Sequence, residues 1–185
     1  MDPRIARTRS SLQEALLGLC RESEYASVSI SDIADAAGIN RSTFYQHYAD
    51  KEELLADALD GFAEQAAAQI EASALNAPDA DPREMIAKFL EHVRENAALY
   101  RMILGPAGSP MIVAKLRGRI IALAQSGLAQ TPRDAKSIPV NVAAASIAGS
   151  FISIVREWLN MKPLPSAERA TEWAWSALSG VPLEN

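Results

Sequence analysis

Between Ser29 and Glu53 the chain signals the start of a helix three times, and this spacing constrains the fold more than any other feature of the sequence. "SISD" sets Ser29 as an N-cap with Asp32 three positions on. In such a capping box the hydroxyl and the carboxylate each satisfy a backbone N–H that a helix start leaves open. Asn40 before "RST" is a second cap, and Asp50 with Glu53 in "DKEE" is a third. Gly38 follows "IADAA" at the place where a left-handed residue ends a helix. Two short helices, over 31–37 and 41–47, are therefore expected, joined by the turn "AGIN". Helices this short do not hold alone in water, so packing must hold them. Ile33, Ala34, Ala37, Ile39 and Phe44 supply small and apolar inner faces for it.

The rest of the chain reads as helix too. Ile5, Leu12, Leu16 and Leu19 fall on one face of a helix over 4–23, followed by the linker "YASVSI". A long helix is expected from Lys51 to about Asn76, then a break at "NAPDADP". Asp81 caps a helix with Pro82 at its first position, running to about Glu95. "AALYRMIL" is a short helix ending at "GPAGSP", and Ser109 and Pro110 start another to about Gly127. "QTPRDAKSIP" is a loop. Val140 to Met161 is helical and rich in small residues, and after "KPLPS" Ser166 caps a last helix to near Gly180. No strand pattern and no repeat stands out. The expectation is an all-α protein of about nine helices.

Composition narrows the class. With 185 residues and 49% apolar content the chain can bury a core. Cys20 is the single cysteine, so no disulfide forms within one chain. No uninterrupted apolar run approaches ~18 residues, so no membrane span is expected. The first residues lack the apolar core of a signal peptide, and a cytoplasmic location is expected. The net charge of −5 argues against a broadly basic, nucleic-acid-coating protein. Any phosphate-binding surface must be local.

"INRSTFYQHY", 39–48, is where such a surface would lie. It mixes an arginine, hydroxyls, an amide, a histidine and aromatics, a blend that suits neither a core helix nor a solvated one. A helix-turn-helix explains it: half of the second helix faces protein and half faces DNA. Phe44 and Tyr48 would point inward as anchors. Arg41, Ser42 and Thr43, with Gln46 a turn later, would reach base edges, arginine suiting guanine and glutamine adenine. Thr43, Tyr45, His47 and Lys51 carry groups suited to phosphates, which position the protein without reading sequence.

With these residues in view, "SVSISDIADAAGINRSTFYQHYADKEELL" resembles the N-terminal signature of the TetR family of bacterial transcriptional regulators. The likeness covers about residues 8–56. It implies a homodimer with a helix-turn-helix DNA-binding domain, residues 1–50, and an effector-binding and dimerisation domain, 51–185, linked by the helix over about 51–76. It implies DNA contacts at Ser29, Ser31, Arg41, Ser42, Thr43, Tyr45, Gln46, His47 and Lys51. It also implies a ligand-responsive regulator, most often a repressor, that binds a palindromic operator in double-stranded DNA and is released by a small-molecule effector. A protein on the same scaffold controlled by a protein partner is the alternative. The operator and the effector are not readable from these motifs.

In the C-terminal half, Ala144, Ile147, Ala148, Phe151, Val155, Trp158, Ala170, Trp173 and Ala177 lie on stripes fit for a dimer four-helix bundle. The same stripes fit packing within one subunit. Phe62, Met85, Phe89, His92, Tyr100, Met102, Ile103, Met111, Leu116, Ile120 and Phe151 are candidates to line a largely apolar effector pocket, or else plain core. His92, between Glu91 and Glu95, could bond a ligand. Arg4, Arg7 and Arg9 form either a solvated terminus or a flexible arm adding phosphate contacts. No glycine-rich phosphate loop, "GxSxG" or Cys–His arrangement points to an enzyme, and no catalytic residue is assigned. No metal or cofactor is expected, since His47 and His92 fall in different domains and there is no cysteine pair.

Overall fold

The helix starts form as their capping residues dictate. The structure, a computed structural model, describes residues 3–76, 81–105, 110–129 and 138–179. Helix α1 spans Pro3–Glu22, and a single 3-10 turn, Tyr25–Ser27, occupies the linker. Helix α2 is Ile30–Ala36, α3 is Arg41–His47 and α4 is Lys51–Asn76. The Asp32 N–H donates to Ser29 Oγ at 3.2 Å and the Ser29 N–H donates to Asp32 Oδ2 at 2.9 Å, so both halves of the capping box are made. Asn40 Oδ1 accepts from the Thr43 N–H at 2.8 Å. Asp50 Oδ1 accepts from the Glu53 N–H at 2.8 Å, and Glu53 Oε2 accepts from the Ala49 N–H at 2.7 Å. Gly38 has φ 68°, a left-handed conformation that an L side chain rarely adopts, and it lets the chain reverse between α2 and α3.

The chain divides into two compact units, Met1–Gln65 and Ala66–Asn185, and the division falls inside α4. In the first unit α1, α2 and α3 pack on one another. Their shared core is Leu12, Leu16, Cys20, Ile33, Ala34, Phe44 and Tyr48, with Leu54, Ala58 and Phe62 from α4 also buried. The buried stripe of α1 is thus Leu12–Leu16–Cys20, an i, i+4 series. Ile5, expected on that stripe, is 42% exposed, because it lies about two turns before the core begins at Leu12.

The second unit holds α5 (Pro82–Glu95), α6 (Ala97–Leu104), α7 (Pro110–Ala129), α8 (Val140–Asn160) and α9 (Ala167–Ser179). Asp81 caps α5 by accepting from the Arg83 N–H at 2.9 Å, and Ser166 Oγ caps α9 by accepting from the Arg169 N–H at 3.3 Å. Ser109, the "GPAGSP" turn after Gly105, the body of the "QTPRDAKSIP" loop and Gly180 lie outside the described residues. Helix α8 packs against α6, α7 and α9, and α5 packs against α9. Ala143, Ala144 and Ala148 on α8, with Ala167, Ala170 and Ala174 on α9, are buried and let helices approach closely. By length and composition α8 could cross a membrane, but a core helix passes the same test, and α8 buries Phe151, Val155, Trp158 and Leu159 within the unit. Every described element is a helix.

Candidate nucleic-acid interface

Helix α3 is divided as its sequence predicts. Phe44 is fully buried and Tyr48, at the C-cap, is 2% exposed. Arg41, Ser42, Tyr45 and Gln46 are exposed, while Thr43 and His47 are half-buried. The exposed aromatic Tyr45 stands edge-on to Phe44 with centroids 5.4 Å apart, so it is braced from behind and still reaches solvent. Asn40 Oδ1 also accepts from the Ser42 hydroxyl at 2.6 Å and the Thr43 hydroxyl at 2.9 Å. These hydroxyls are therefore held at the helix N-terminus, where backbone N–H groups and the helix dipole favour an anion. Arg41 and Gln46 make no side-chain hydrogen bond among the described residues and are available to a partner.

What holds α3 in place is a polar hub that the sequence reading missed. Asp57 of α4 offers one oxygen, Oδ2, to three donors: the Tyr48 hydroxyl at 2.6 Å, Gln13 Nε2 at 2.5 Å and Arg9 Nη2 at 2.8 Å. The Arg9 guanidinium also lies over the Tyr48 ring, 4.6 Å from its centroid. One carboxylate thus ties α1, the end of α3 and α4 together. Burial works to raise the Asp57 pKa, but the hydrogen bonds from Tyr48, Arg9 and Gln13 outweigh it and the net shift is downward. Burial first, and then the bond to Asp57, push Tyr48 up to about 12, so its hydroxyl stays a donor at neutral pH. Arg9 is accordingly no part of a flexible arm: α1 begins at Pro3, and the Asp57 carboxylate fixes Arg9 on it. A hint was available, since Arg9 and Gln13 are one turn apart on one helix face.

The remaining expected contacts sit around the turn before α2. Ser29 is exposed and its hydroxyl donates to Asp32 at 2.6 Å; Ser31 is half-buried. That bond is the main cause holding the Asp32 carboxyl below its usual range. Lys51 is half-buried, and its ammonium donates to the carbonyls of Val28 at 3.0 Å and Tyr25 at 3.2 Å while lying 4.4 Å from the Tyr25 ring centroid. Two of its three protons therefore stitch α4 to the α1–α2 connection, and one remains for an outside acceptor.

The other candidate sets fare differently. Of the proposed dimer residues, Ala144, Ala148, Phe151, Val155, Trp158 and Ala170 are buried in the subunit's own core. Close helix packing within the unit already uses these small residues. Ile147 and Trp173 are half-buried and Ala177 is exposed. Of the pocket candidates, Phe62 is buried in the first unit, and Met85, His92 and Met102 are half-buried. Phe89, Tyr100, Leu116, Ile120 and Phe151 come together around a space of about 10 Å³. That is the size of a single water, so this seam is closed core. Phe89 packs on Tyr100 and Phe151 with centroids 6.0 and 5.5 Å apart, and Ile103 is fully buried. Met111 is 69% exposed. Among the described residues no group of His, Cys, Asp and Glu could hold a metal ion.

Known proteins share this arrangement. Residues 14–58 match the family model of bacterial regulatory proteins of the tetR family. An uncharacterised HTH-type transcriptional regulator of Bacillus subtilis, YxbF, is 52% identical over 56 residues, 30% of this chain and 15% of that protein. The HTH-type transcriptional activator FasR of Mycolicibacterium smegmatis is 24% identical over 169 residues, covering 86% of this chain and 77% of FasR. A tetR-family regulator from Streptomyces coelicolor has the same fold, with a TM-score of 0.69 and 24% identity over 94% of this chain and 81% of that one. The matched segment contains the α2–α3 turn, the exposed face of α3, and Tyr48 and Asp57 of the hub, so residues 14–58 form a DNA-binding domain of the kind found in the tetR family of bacterial regulatory proteins.

Proposed function

We propose that this transcriptional regulator binds a palindromic operator in double-stranded DNA as a homodimer, represses from it, and is released by a small-molecule effector. The observation that carries the DNA reading is the split of α3: Phe44 and Tyr48 locked inward, and Arg41, Ser42, Tyr45 and Gln46 exposed. In this reading Arg41 and Gln46 touch base edges in the major groove, and Ser29, Ser31, Thr43, Tyr45, His47 and the spare proton of Lys51 hold phosphates. The two recognition helices of a dimer would lie about 34–36 Å apart, one turn of DNA, or a multiple of it. The dimer would use the exposed side of α8 and α9, with Ile147, Trp173 and Ala177 in it. The effector shifts the regulator only by its differential affinity for the bound and free states. FasR is an activator, so a promoter fusion, read with and without the regulator, decides the sign for this chain.

The first experiment is fluorescence anisotropy on the chain's own upstream DNA at two salt concentrations, with scrambled DNA as control. Tight, selective binding that weakens steeply with salt is expected. Binding that does not distinguish the scrambled control at either salt concentration would overturn the operator reading.

A further inference from the structure

The second unit contains an open cleft that neither the family signature nor the expected pocket includes. Its volume is about 250 Å³, and it is lined by Arg101, Leu104 and Gly105 at the end of α6 and Arg156, Leu159 and Asn160 at the end of α8. Arg101 and Leu104 lie on the last turn of α6 with Gly105 as its C-cap, and Arg156 and Asn160 are one turn apart on α8, so each helix end offers one wall. Two guanidinium groups line the cleft, and among the described residues no carboxylate does. The Arg101 Nε donates to the Leu159 carbonyl at 2.8 Å, which caps the end of α8 and fixes the plane of that guanidinium. Its terminal N–H groups are thereby pre-oriented. Arg156 is exposed and has no side-chain partner among the described residues. Leu104 and Leu159 line the cleft but are only 3% and 2% exposed, so its open surface belongs chiefly to the other lining residues.

The geometry points to a binding site for a small organic anion, its phosphate or carboxylate head held between Arg101 and Arg156. Guanidinium groups hold such heads bidentately, and a planar fork fixed in advance loses less entropy on binding than a free one. The cleft, about 250 Å³, has room for a head group with a few carbons. This site supplies a chemical class for the effector and in that respect rests on the ligand-responsive reading; its test does not.

The test is isothermal titration of the full chain, without DNA, with butyl phosphate, pentanoate and pentan-1-ol. Saturable binding of at least one of the two anions and none of the alcohol is expected, and the stronger anion identifies the head group. Arg156→Gln should weaken that anion by roughly tenfold, the scale of one charge-assisted hydrogen bond, with the melting temperature unchanged. Arg156→Lys should restore part of the loss. Amide shifts in NMR should concentrate at 101–105 and 156–160. Equal binding of the alcohol, no binding of either anion, or anion binding that Arg156→Gln leaves intact would each overturn the site. Anion binding that persists without any effect on DNA affinity would keep the site and sink only its role as the effector site.

Discussion

The two units are built by different chemistry. In the first, short polar contacts decide the structure: a capping box at Ser29, an amide cap at Asn40, a lysine on two carbonyls, and three donors on Asp57. In the second, most of the order comes from apolar helix faces, with alanines where helices cross and Phe89, Tyr100, Phe151 and Trp158 filling the gaps. Polar contacts are local and directional, so a change in one removes a defined function of one residue. Apolar packing is distributed, so a change there is felt as volume.

That contrast can be broken by experiment, and the largest effect should come from the place where the first unit behaves like the second. Phe44→Ala empties the one large apolar anchor of α3 and should cost about 3–5 kcal/mol in denaturant unfolding of the first unit. A loss under about 1 kcal/mol would mean that polar contacts alone hold α3. Ala148→Leu forces extra carbons into a fully buried position on α8 and should cost about 1–3 kcal/mol. If it is neutral, the α7–α8–α9 packing is looser than described. Ser29→Ala removes the hydroxyl half of the α2 capping box and should cost about 1 kcal/mol, with Ser29→Asp recovering most of it.

Acid should separate the units further. The folded pKa of Asp57 lies below its unfolded value, so its contribution is complete above the ordinary aspartate range and is lost as pH falls through the folded pKa. Asp57→Asn should flatten the acid limb of the first unit's stability and leave that of the second unit unchanged; identical acid limbs in wild type and variant would remove the hub from the account. The smallest effect on folding belongs to Arg41→Ala, within about 0.5 kcal/mol for an exposed residue. Its effect on operator binding should be about 1–3 kcal/mol with relaxed base preference, and unchanged affinity and preference would displace α3 as the reading helix.

The same contrast explains what the sequence made legible. Caps at Ser29, Asn40, Asp50, Asp81 and Ser166 were readable because a cap is a rule between residues two to four apart. The exposed and buried halves of α3 were readable for the same reason. The Asp57 hub was not: its donors lie on α1 and at the end of α3, and no local rule joins position 57 to 9, 13 and 48. On α8, periodicity located the stripe of Ala144, Ala148 and Phe151 but not what covers it, because an apolar stripe looks alike whether it meets its own subunit or another. The cleft at Arg101 and Arg156 was invisible because it depends on the ends of α6 and α8, helices with all of α7 between them in the chain, meeting.

The shared oxygen of Asp57 has a genetic consequence. Arg9, Gln13 and Tyr48 do not act independently, since each donor's strength depends on which others are present on the same acceptor. Losing one leaves two to compensate, and losing two leaves a half-buried carboxylate with a single partner. Substitutions at these positions should therefore show epistasis: tolerated one at a time, and incompatible in pairs, although the residues come from one helix and the cap of another.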